Sequence, residues 1–364
     1  MSAPKKIHLL ISDMGIGGAE RVLLVLADEF SNSHQVGFVC LRRNGQLLES
    51  IRPETAAIFL NEGNASIVTM SIRSLFLLTR MMRSEPASVF LSTGTGTNLL
   101  ACLARLLVPN GARLVIREAC SSMNSTSRII SVLKRLLYPR ADGMIGVSDG
   151  VAEELKALAG KRQPVASIPN PVDVVRLNAL AARPDGMLAD FQHTFILTVG
   201  RLVPQKNTAL LIDAFARIEK SVDEHLVIIG AGPFESQLRS QIAGYGLDAK
   251  IHLLGEISNP QPWFKRASAF VLSSNSEGYP NVLLEALVHN LPVISTNCDF
   301  GPRQILDNGR YGKLVKVGDV DGIAQAIRLT LEGALTSDVW DSKLCIPVEI
   351  ASRYLAFMDT CHHD

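Results

Sequence analysis

Two α/β domains, each built on a parallel, doubly wound sheet, are the fold class this sequence predicts. Three observations lead there. The 364 residues suffice for two domains. Short apolar runs alternate with longer amphipathic ones, the order expected of βαβ units. That alternation runs through the chain twice, on either side of the segment Ile168-Pro169-Asn170-Pro171-Val172-Asp173. The boundaries fall at 1–170 and 171–340, with 341–364 as a C-terminal helix returning to the first domain.

Strands are expected at Lys6–Ser12, Val36–Leu41, Ala57–Leu60, Ser88–Ser92, Arg113–Ile116 and Gly143–Val147. Between the first two, glycines at Gly15–Gly18 make a turn into a helix over Glu20–Phe30. Val22, Leu23, Leu26, Ala27 and Phe30 share one face of that helix. Ser148 is placed to cap a helix starting near Val151, with Glu153 and Glu154 in its first turn. The second series has strands at Phe195–Val199, Leu226–Gly230, Ile251–Leu254, Ala269–Leu272, Pro292–Thr296 and Gly312–Val315. Helices are expected at Thr208–Glu219, Phe234–Tyr245, Asn281–His289, Val320–Glu332 and, amphipathic, Val348–Asp359. Open sheets of this type bind ligands beyond the carboxyl ends of their strands. Two facing domains would make a cleft.

Composition narrows the function. With 47% hydrophobic and 20% charged residues, the chain is neither disordered nor fibrous. Its 36 Lys and Arg against 35 Asp and Glu argue against nucleic acid as a partner. The balance hides an asymmetry, +6 over residues 1–170 and −5 over 171–364. From Arg73 to Arg140 there are ten basic residues and two acids, Glu85 and Glu118. The six cysteines form no CxxC pair and no metal-ligand spacing with the eight histidines, so no metal is expected and a reducing compartment is. The basic-then-apolar start MSAPKKIHLLISDMG stops at Asp13 without a cleavage site and reads as a strand. The longest uncharged stretch, Pro86 to Ala104, holds Ser, Thr, Asn and two Gly and is not a membrane span.

Three stretches carry chemistry. Asp13-Met14-Gly15-Ile16-Gly17-Gly18-Ala19-Glu20-Arg21 joins strand, glycine turn and helix start, where backbone N–H groups can meet an anion. A tight turn without a ligand is the plain alternative. Leu41-Arg42-Arg43 stands where a dinucleotide fold wants an acid, and no full GxGxxG precedes it, which weakens an NADP-dependent oxidoreductase. Val199-Gly200-Arg201-Leu202-Val203-Pro204-Gln205-Lys206-Asn207 sets two cations five residues apart after a strand-end glycine, suited to phosphate oxygens. Gly230-Ala231-Gly232-Pro233 closes the next strand with a turn that a base or ribose could approach. Most informative is Ser273-Ser274-Asn275-Ser276-Glu277-Gly278-Tyr279-Pro280-Asn281-Val282-Leu283-Leu284-Glu285-Ala286-Leu287. A carboxylate at Glu285 inside the apolar run Val282–Leu287 needs a partner, because burying a charge is costly. Hydroxyl pairs of sugar and ribose are natural partners, and the helix start at Asn281–Leu283 suits a diphosphate.

Taken together, these stretches resemble retaining glycosyltransferases of the GT-B fold, family 4. The resemblance covers nearly the whole chain: GGAERVLLVLA, VSDGVAEEL, IPNPVD, VGRLVPQKN, and SEGYPNVLLEAL with its E-x7-E spacing. Gly301-Pro302-Arg303-Gln304-Ile305-Leu306, with Gly309, Gly312 and Val317-Gly318-Asp319, looks like the bacterial surface-polysaccharide subset. It implies two Rossmann-like domains facing a cleft, and a hexose or N-acetylhexosamine moved from a nucleotide-diphosphate sugar, UDP first, to a lipid-linked saccharide. In that family Arg201 and Lys206 would hold the donor diphosphate with the backbone of Gly17 and Gly18. Glu285 would accept from the ribose, Glu277 would contact the hexose, and Asn281, Val282 and Leu283 would approach the sugar and phosphate through their backbone; Gly232, in the turn after the second strand of the second domain, is a further candidate for a base or ribose, with a plain turn as its alternative. No cofactor or metal is implied. Where many relatives carry a His, this chain has Arg117-Glu118-Ala119-Cys120. Glu118 could accept from sugar hydroxyls, against the alternative of an Arg117–Glu118 surface pair. Gln304 replaces a common Glu.

The basic half then suggests a membrane. Ser71–Arg83 and Ser127–Arg140 read as basic amphipathic helices for an anionic bilayer, with ordinary packing helices as the alternative. A polyprenyl-diphosphate-linked saccharide would be the matching acceptor, and the expected location is cytoplasmic, peripheral on the inner face of the cell membrane. Rival readings are a nucleotide-sugar epimerase of the same architecture and a non-catalytic nucleotide-sugar or lipid-binding protein.

Overall fold

The computed structural model describes residues 5–62, 67–119, 128–160, 163–335 and 337–361. The chain divides into two compact units, Met1–Val172 with Cys345–Asp364, and Asp173–Leu344.

The first unit runs β1 (Lys6–Ile11), α1 (Gly18–Phe30), β2 (Gln35–Cys40), β3 (Ala56–Phe59), α2 (Ile67–Ser84), β4 (Val89–Thr93), α3 (Thr95–Leu107), β5 (Arg113–Glu118), α4 (Arg128–Leu137), β6 (Gly143–Gly146), α5 (Asp149–Lys156) and β7 (Val165–Ser167). Its seven strands are parallel in the order β3-β2-β1-β4-β5-β6-β7. The second unit runs α6 (Val174–Ala181), α7 (Gly186–Asp190), β8 (Phe195–Val199), α8 (Thr208–Ile218), β9 (His225–Ile229), α9 (Glu235–Tyr245), β10 (Ile251–Gly255), α10 (Gln261–Arg266), β11 (Ala269–Leu272), α11 (Asn281–Val288), β12 (Val293–Thr296), α12 (Gly301–Ile305), β13 (Lys313–Val315) and α13 (Val320–Leu331). Its order is β10-β9-β8-β11-β12-β13, again all parallel. The chain order within each sheet therefore reverses beside its first strand, next to β4 in one and β11 in the other.

Central strands such as β4 and β9 are buried along their whole length, as a sheet covered by helices on both faces requires. In the first unit Ile7, Leu9 and Ile11 pack with Val22, Leu23, Leu26 and Phe30 of α1. The last helix, α14 (Pro347–Thr360), completes that core with Ile350, Tyr354 and Met358. Arg353 and Arg113 tie it down by donating to the carbonyls of Ser167 and Met358, at 2.8 and 3.1 Å. In the second unit Ile196 and Ile228 meet Leu211 and Phe215 of α8 and Ile323 and Ile327 of α13.

Several elements differ from the sequence reading. β7 is a seventh strand, three half-buried edge residues without an apolar run. The short helices α6, α7 and α10 carry too little periodicity to show. Gly301–Ile305, not among the expected helices, forms the short helix α12. Ser148 does cap α5, accepting from Val151 N at 3.4 Å, but the helix starts at Asp149, so Asp149 is its first-turn acid and Glu153 and Glu154 come later.

Helices α2 and α4 break the usual rule that apolar faces turn inward. Ile72 and Phe76 of α2 are each 66% exposed, while Ser74, Leu78 and Met82 are buried. On α4, Ile129, Val132, Leu133 and Leu136 are exposed and the buried side chain is Lys134. Lys134 therefore does not belong to the cationic surface expected of 127–140; Arg128, Arg135 and Arg140 do. Ser127 lies outside the described residues. No helix among the described residues is long and apolar enough to cross a membrane.

Candidate active site

In the second unit the loops leaving β8 and β9 are joined backbone to backbone. Leu202 N donates to Ala231 O at 2.9 Å and Phe234 N to Leu202 O at 3.1 Å. A Cβ on Gly232 would overlap the Leu202 carbonyl, so the glycine is needed for this approach. Polar side chains then stitch the β8 loop to the loop after β11. Asn275 Nδ2 donates to Pro204 O at 2.9 Å, Gln205 Nε2 to Ser276 O at 2.9 Å, and Ser273 Oγ to Lys206 O at 3.1 Å. Asn207 holds the left-handed turn before α8 at φ 46° and donates to Asn275 Oδ1 at 3.0 Å. Arg201 and Lys206 thus sit on a braced loop.

The stem of Lys206 crosses Gly200, and its ammonium donates to Glu277 Oε1 at 2.5 Å. Ser274 Oγ donates to the same oxygen at 2.6 Å. Glu277 is 6% exposed, so the loop acid is buried rather than solvated. Arg201 is exposed, and its guanidinium has no hydrogen bond or ion pair among the described residues. Cys298 lies near the pair, and burial pushes its thiol up to about 12, so it stays protonated at neutral pH.

Glu285, on α11, is 8% exposed and accepts from Gln261 Nε2 at 2.7 Å. Because that amide nitrogen donates, Gln261 Oε1 faces His289 Nε2 at 2.9 Å and accepts a hydrogen bond from its N–H. Burial holds His289 below its ordinary value, in keeping with a neutral ring. The N-cap of α11 is Pro280, which supplies no side-chain bond to the first turn at Asn281, Val282 and Leu283. Behind this turn, a Cβ on Gly301 would overlap the backbone of Gly278 and Tyr279. Phe300 precedes it at φ 76°, a strained value for a bulky residue.

In the first unit Gly17 is the N-cap of α1 and Gly18 its first residue. The loop is not open: a Cβ on Gly17 would overlap the carboxylate of Glu20, which already lies at the positive end of the helix. Arg42 is bound to Asp13 at 2.6 Å and Arg43 lies over the Phe59 ring. Arg117 and Glu118 are not a surface pair. Neighbours on β5, they are buried on its opposite faces. Arg117 donates to Tyr354 OH at 3.0 Å and to Asn170 Oδ1. Glu118 accepts from Thr95 Oγ1 at 3.1 Å, Tyr138 OH at 2.6 Å and Lys134 Nζ at 3.1 Å. Burial and the Glu118 charge hold the Tyr138 phenol protonated. Cys120 lies outside the described residues.

Residues 193–332 match the family model described as Glycosyl transferases group 1, and residues 16–176 match Glycosyltransferase Family 4. Among solved structures, Anabaena HepE in complex with UDP and glucose superposes with a TM-score of 0.78 at 18% identity, covering 98% of this chain and all of its own. The lipopolysaccharide outer core galactosyltransferase WaaB gives 0.74 at 20%, covering 98% and 99%. Both likenesses concern the fold. A Campylobacter jejuni protein named N-acetylgalactosamine-N,N'-diacetylbacillosaminyl-diphospho-undecaprenol 4-alpha-N-acetylgalactosaminyltransferase is 31% identical over 345 residues, 90% of each chain. The chain belongs to the GT-B glycosyltransferases.

Sequence reasoning about this glycosyltransferase missed Gln261, His289 and Ser274. Gln261 had one signal, a polar residue between two prolines in Asn259-Pro260-Gln261-Pro262-Trp263 that ends 1% exposed. It also missed a histidine stack at the opposite, amino end of the second sheet. His193 and His225 rings lie 3.8 Å apart, and His225 Nδ1 is 2.8 Å from His252 Nε2.

Proposed function

We propose that this glycosyltransferase moves a hexose or N-acetylhexosamine from a UDP-sugar to a polyprenyl-diphosphate-linked saccharide, with retained anomeric configuration, in the synthesis of a cell-surface glycan. The observation that carries the reading is the set of charges that follows the adjacent strands β8 and β11, on their loops and on α11. Arg201 is exposed and has no side-chain partner among the described residues, Lys206 is reachable, and Glu277 and Glu285 are buried and hydrogen-bonded. The name of the Campylobacter jejuni relative supports the acceptor class and the sugar class.

In the proposed reaction Arg201 and Lys206 hold the diphosphate. The bond from the sugar C1 to the phosphate oxygen breaks, the bond from C1 to the acceptor oxygen forms on the same face, and the acceptor proton passes to the departing phosphate. Charge stabilisation on the leaving diphosphate is then the main contribution of the protein. When the diphosphate arrives, Lys206 turns part of its bonding from Glu277 to phosphate, which frees Glu277 to meet the hexose. Glu285 accepts from the ribose hydroxyls, and the amino end of α11 at Asn281–Leu283, where the helix dipole is positive, approaches the donor through its backbone. No metal takes part.

The acceptor would be met at the inner face of the cell membrane. α2 and α4 expose apolar and basic side chains, among them Phe76, Arg80, Ile129, Leu133, Arg135 and Leu136, and neither helix contains an acid. Immersing one such apolar side chain contributes about 1.5–3 kcal/mol when burial is complete.

A panel of UDP- and GDP-sugars with a bacterial lipid extract tests the reading by the mass of the lipid product and the anomeric coupling of its new linkage. A UDP-sugar should add one sugar mass in the donor's configuration. Release of a changed sugar nucleotide would instead indicate an epimerase, and UDP binding without transfer a non-catalytic binder.

A further inference from the structure

Helix α4 is built inside out. Ile129, Val132, Leu133 and Leu136, at i, i+3, i+4 and i+7, form the stripe that normally faces a core, and all four are exposed. The side chain pointing inward is Lys134, 2% exposed. Its ammonium reaches Glu118 Oε2 at 3.1 Å. Tyr138 OH donates to the same oxygen at 2.6 Å, and Thr95 Oγ1 to the other at 3.1 Å. Rolling α4 to bury its stripe would withdraw Lys134 and leave the Glu118 carboxylate uncompensated in a dry interior, which is strongly unfavourable.

We infer that Glu118 and Lys134 form a buried latch that fixes the roll of α4 and holds its apolar stripe outward, as the face that meets an anionic bilayer. The partner is indicated by charge: Arg128, Arg135 and Arg140 are exposed, and α4 contains no acid to oppose them. The bilayer as partner rests on the membrane reading above, while the latch does not. Glu118 is then a positioning residue acting through Lys134.

A single cysteine reporter, Leu136→Cys, tests the latch in the full chain, with thiol alkylation followed by mass spectrometry of its peptide. With the native pair the thiol should label at the rate of an exposed cysteine. Adding Lys134→Met should slow labelling by about tenfold or more as the stripe turns inward, and Lys134→Arg should restore it. Unchanged labelling in Lys134→Met at an unchanged melting temperature would overturn the latch. Should that variant not fold, Glu118→Gln with Lys134→Gln removes both charges together, and the same rates decide. Flotation with phosphatidylethanolamine–phosphatidylglycerol vesicles tests the partner separately. Leu133→Ser with Leu136→Ser, latch intact, should lose binding. Retained binding would overturn the bilayer as the partner of this face.

Discussion

The two units carry the same device in opposite settings. Each has a lysine bound to a glutamate beyond or at the carboxyl end of a central strand: Lys134 with Glu118 in the first, Lys206 with Glu277 in the second. The first pair is sealed, with side chains 3% and 5% exposed; the second is open on the lysine side, at 18% against 6%. A sealed pair can only hold structure. An open one can exchange partners, because an incoming anion reaches the ammonium without dismantling the fold. The difference lies in what covers the lysine. Lys134 is under a helix, whereas Lys206 lies over Gly200, which has no side chain to shield it.

The sharpest break of this comparison is substitution at the open pair. Lys206→Ala or Arg201→Ala should lower transfer by about 100-fold or more, the effect of losing one charge-stabilising donor. Lys134→Met, assayed with a short water-soluble acceptor that needs no membrane, should stay within about tenfold of native, since it removes no such donor. Initial rates at saturating donor decide. Near-native turnover in both Arg201→Ala and Lys206→Ala would remove the assignment of the open site, and a larger loss in Lys134→Met than in either would reverse the comparison.

A smaller effect is expected at the second buried carboxylate of the open site. Glu285→Gln keeps the shape but loses the charge that strengthens hydrogen bonds to ribose hydroxyls. Such bonds are worth about 1.5–3 kcal/mol when one partner is charged, so UDP affinity should fall by roughly tenfold or somewhat more. Calorimetric titration with UDP reads it directly, and equal affinity would take the ribose away from Glu285. Transfer measured at saturating donor should change less than binding, in contrast to Lys206→Ala.

The sequence shows the open site better than the sealed one for a physical reason. Loops leaving strands must break periodicity, so Gly200, Arg201, Lys206 and Glu277 stand out against the apolar runs on either side. Glu285 stands out because it interrupts one. The architecture was legible for the same reason, since buried parallel strands are continuous apolar runs. Lys134 was hidden. In Ser127–Arg140 it is one cation among several, and nothing in the spacing says that the apolar side of this helix turns outward. That depends on Glu118 waiting 16 residues earlier on β5, a tertiary fact. Gln261 was hidden similarly, because its worth lies in linking His289 to Glu285 across two helices.

Histidines extend the contrast at a smaller scale and through pH. In the first unit His8 is lowered by burial, but its Nε2 faces Glu85 at 2.6 Å, and that carboxylate opposes the shift. In the second unit His225 faces His193, His252 and Lys250 instead, with no acid among its influences, and burial together with these neighbours lowers it to about 4. The folded state therefore favours the neutral ring, while an unfolded chain keeps the ordinary value of 6.5. Between those values the unfolded state binds more protons, so the contribution of His225 to stability is fully present above pH 6.5 and is lost as pH falls towards 4. The wild-type unfolding midpoint should drop from pH 7 to pH 4.5, and His225→Gln should flatten part of that drop while leaving the midpoint at pH 7 less affected. Parallel pH profiles for the two proteins would show that the imidazole stack carries no linkage, and that the second sheet tolerates protons at its amino end as readily as the first tolerates them at His8.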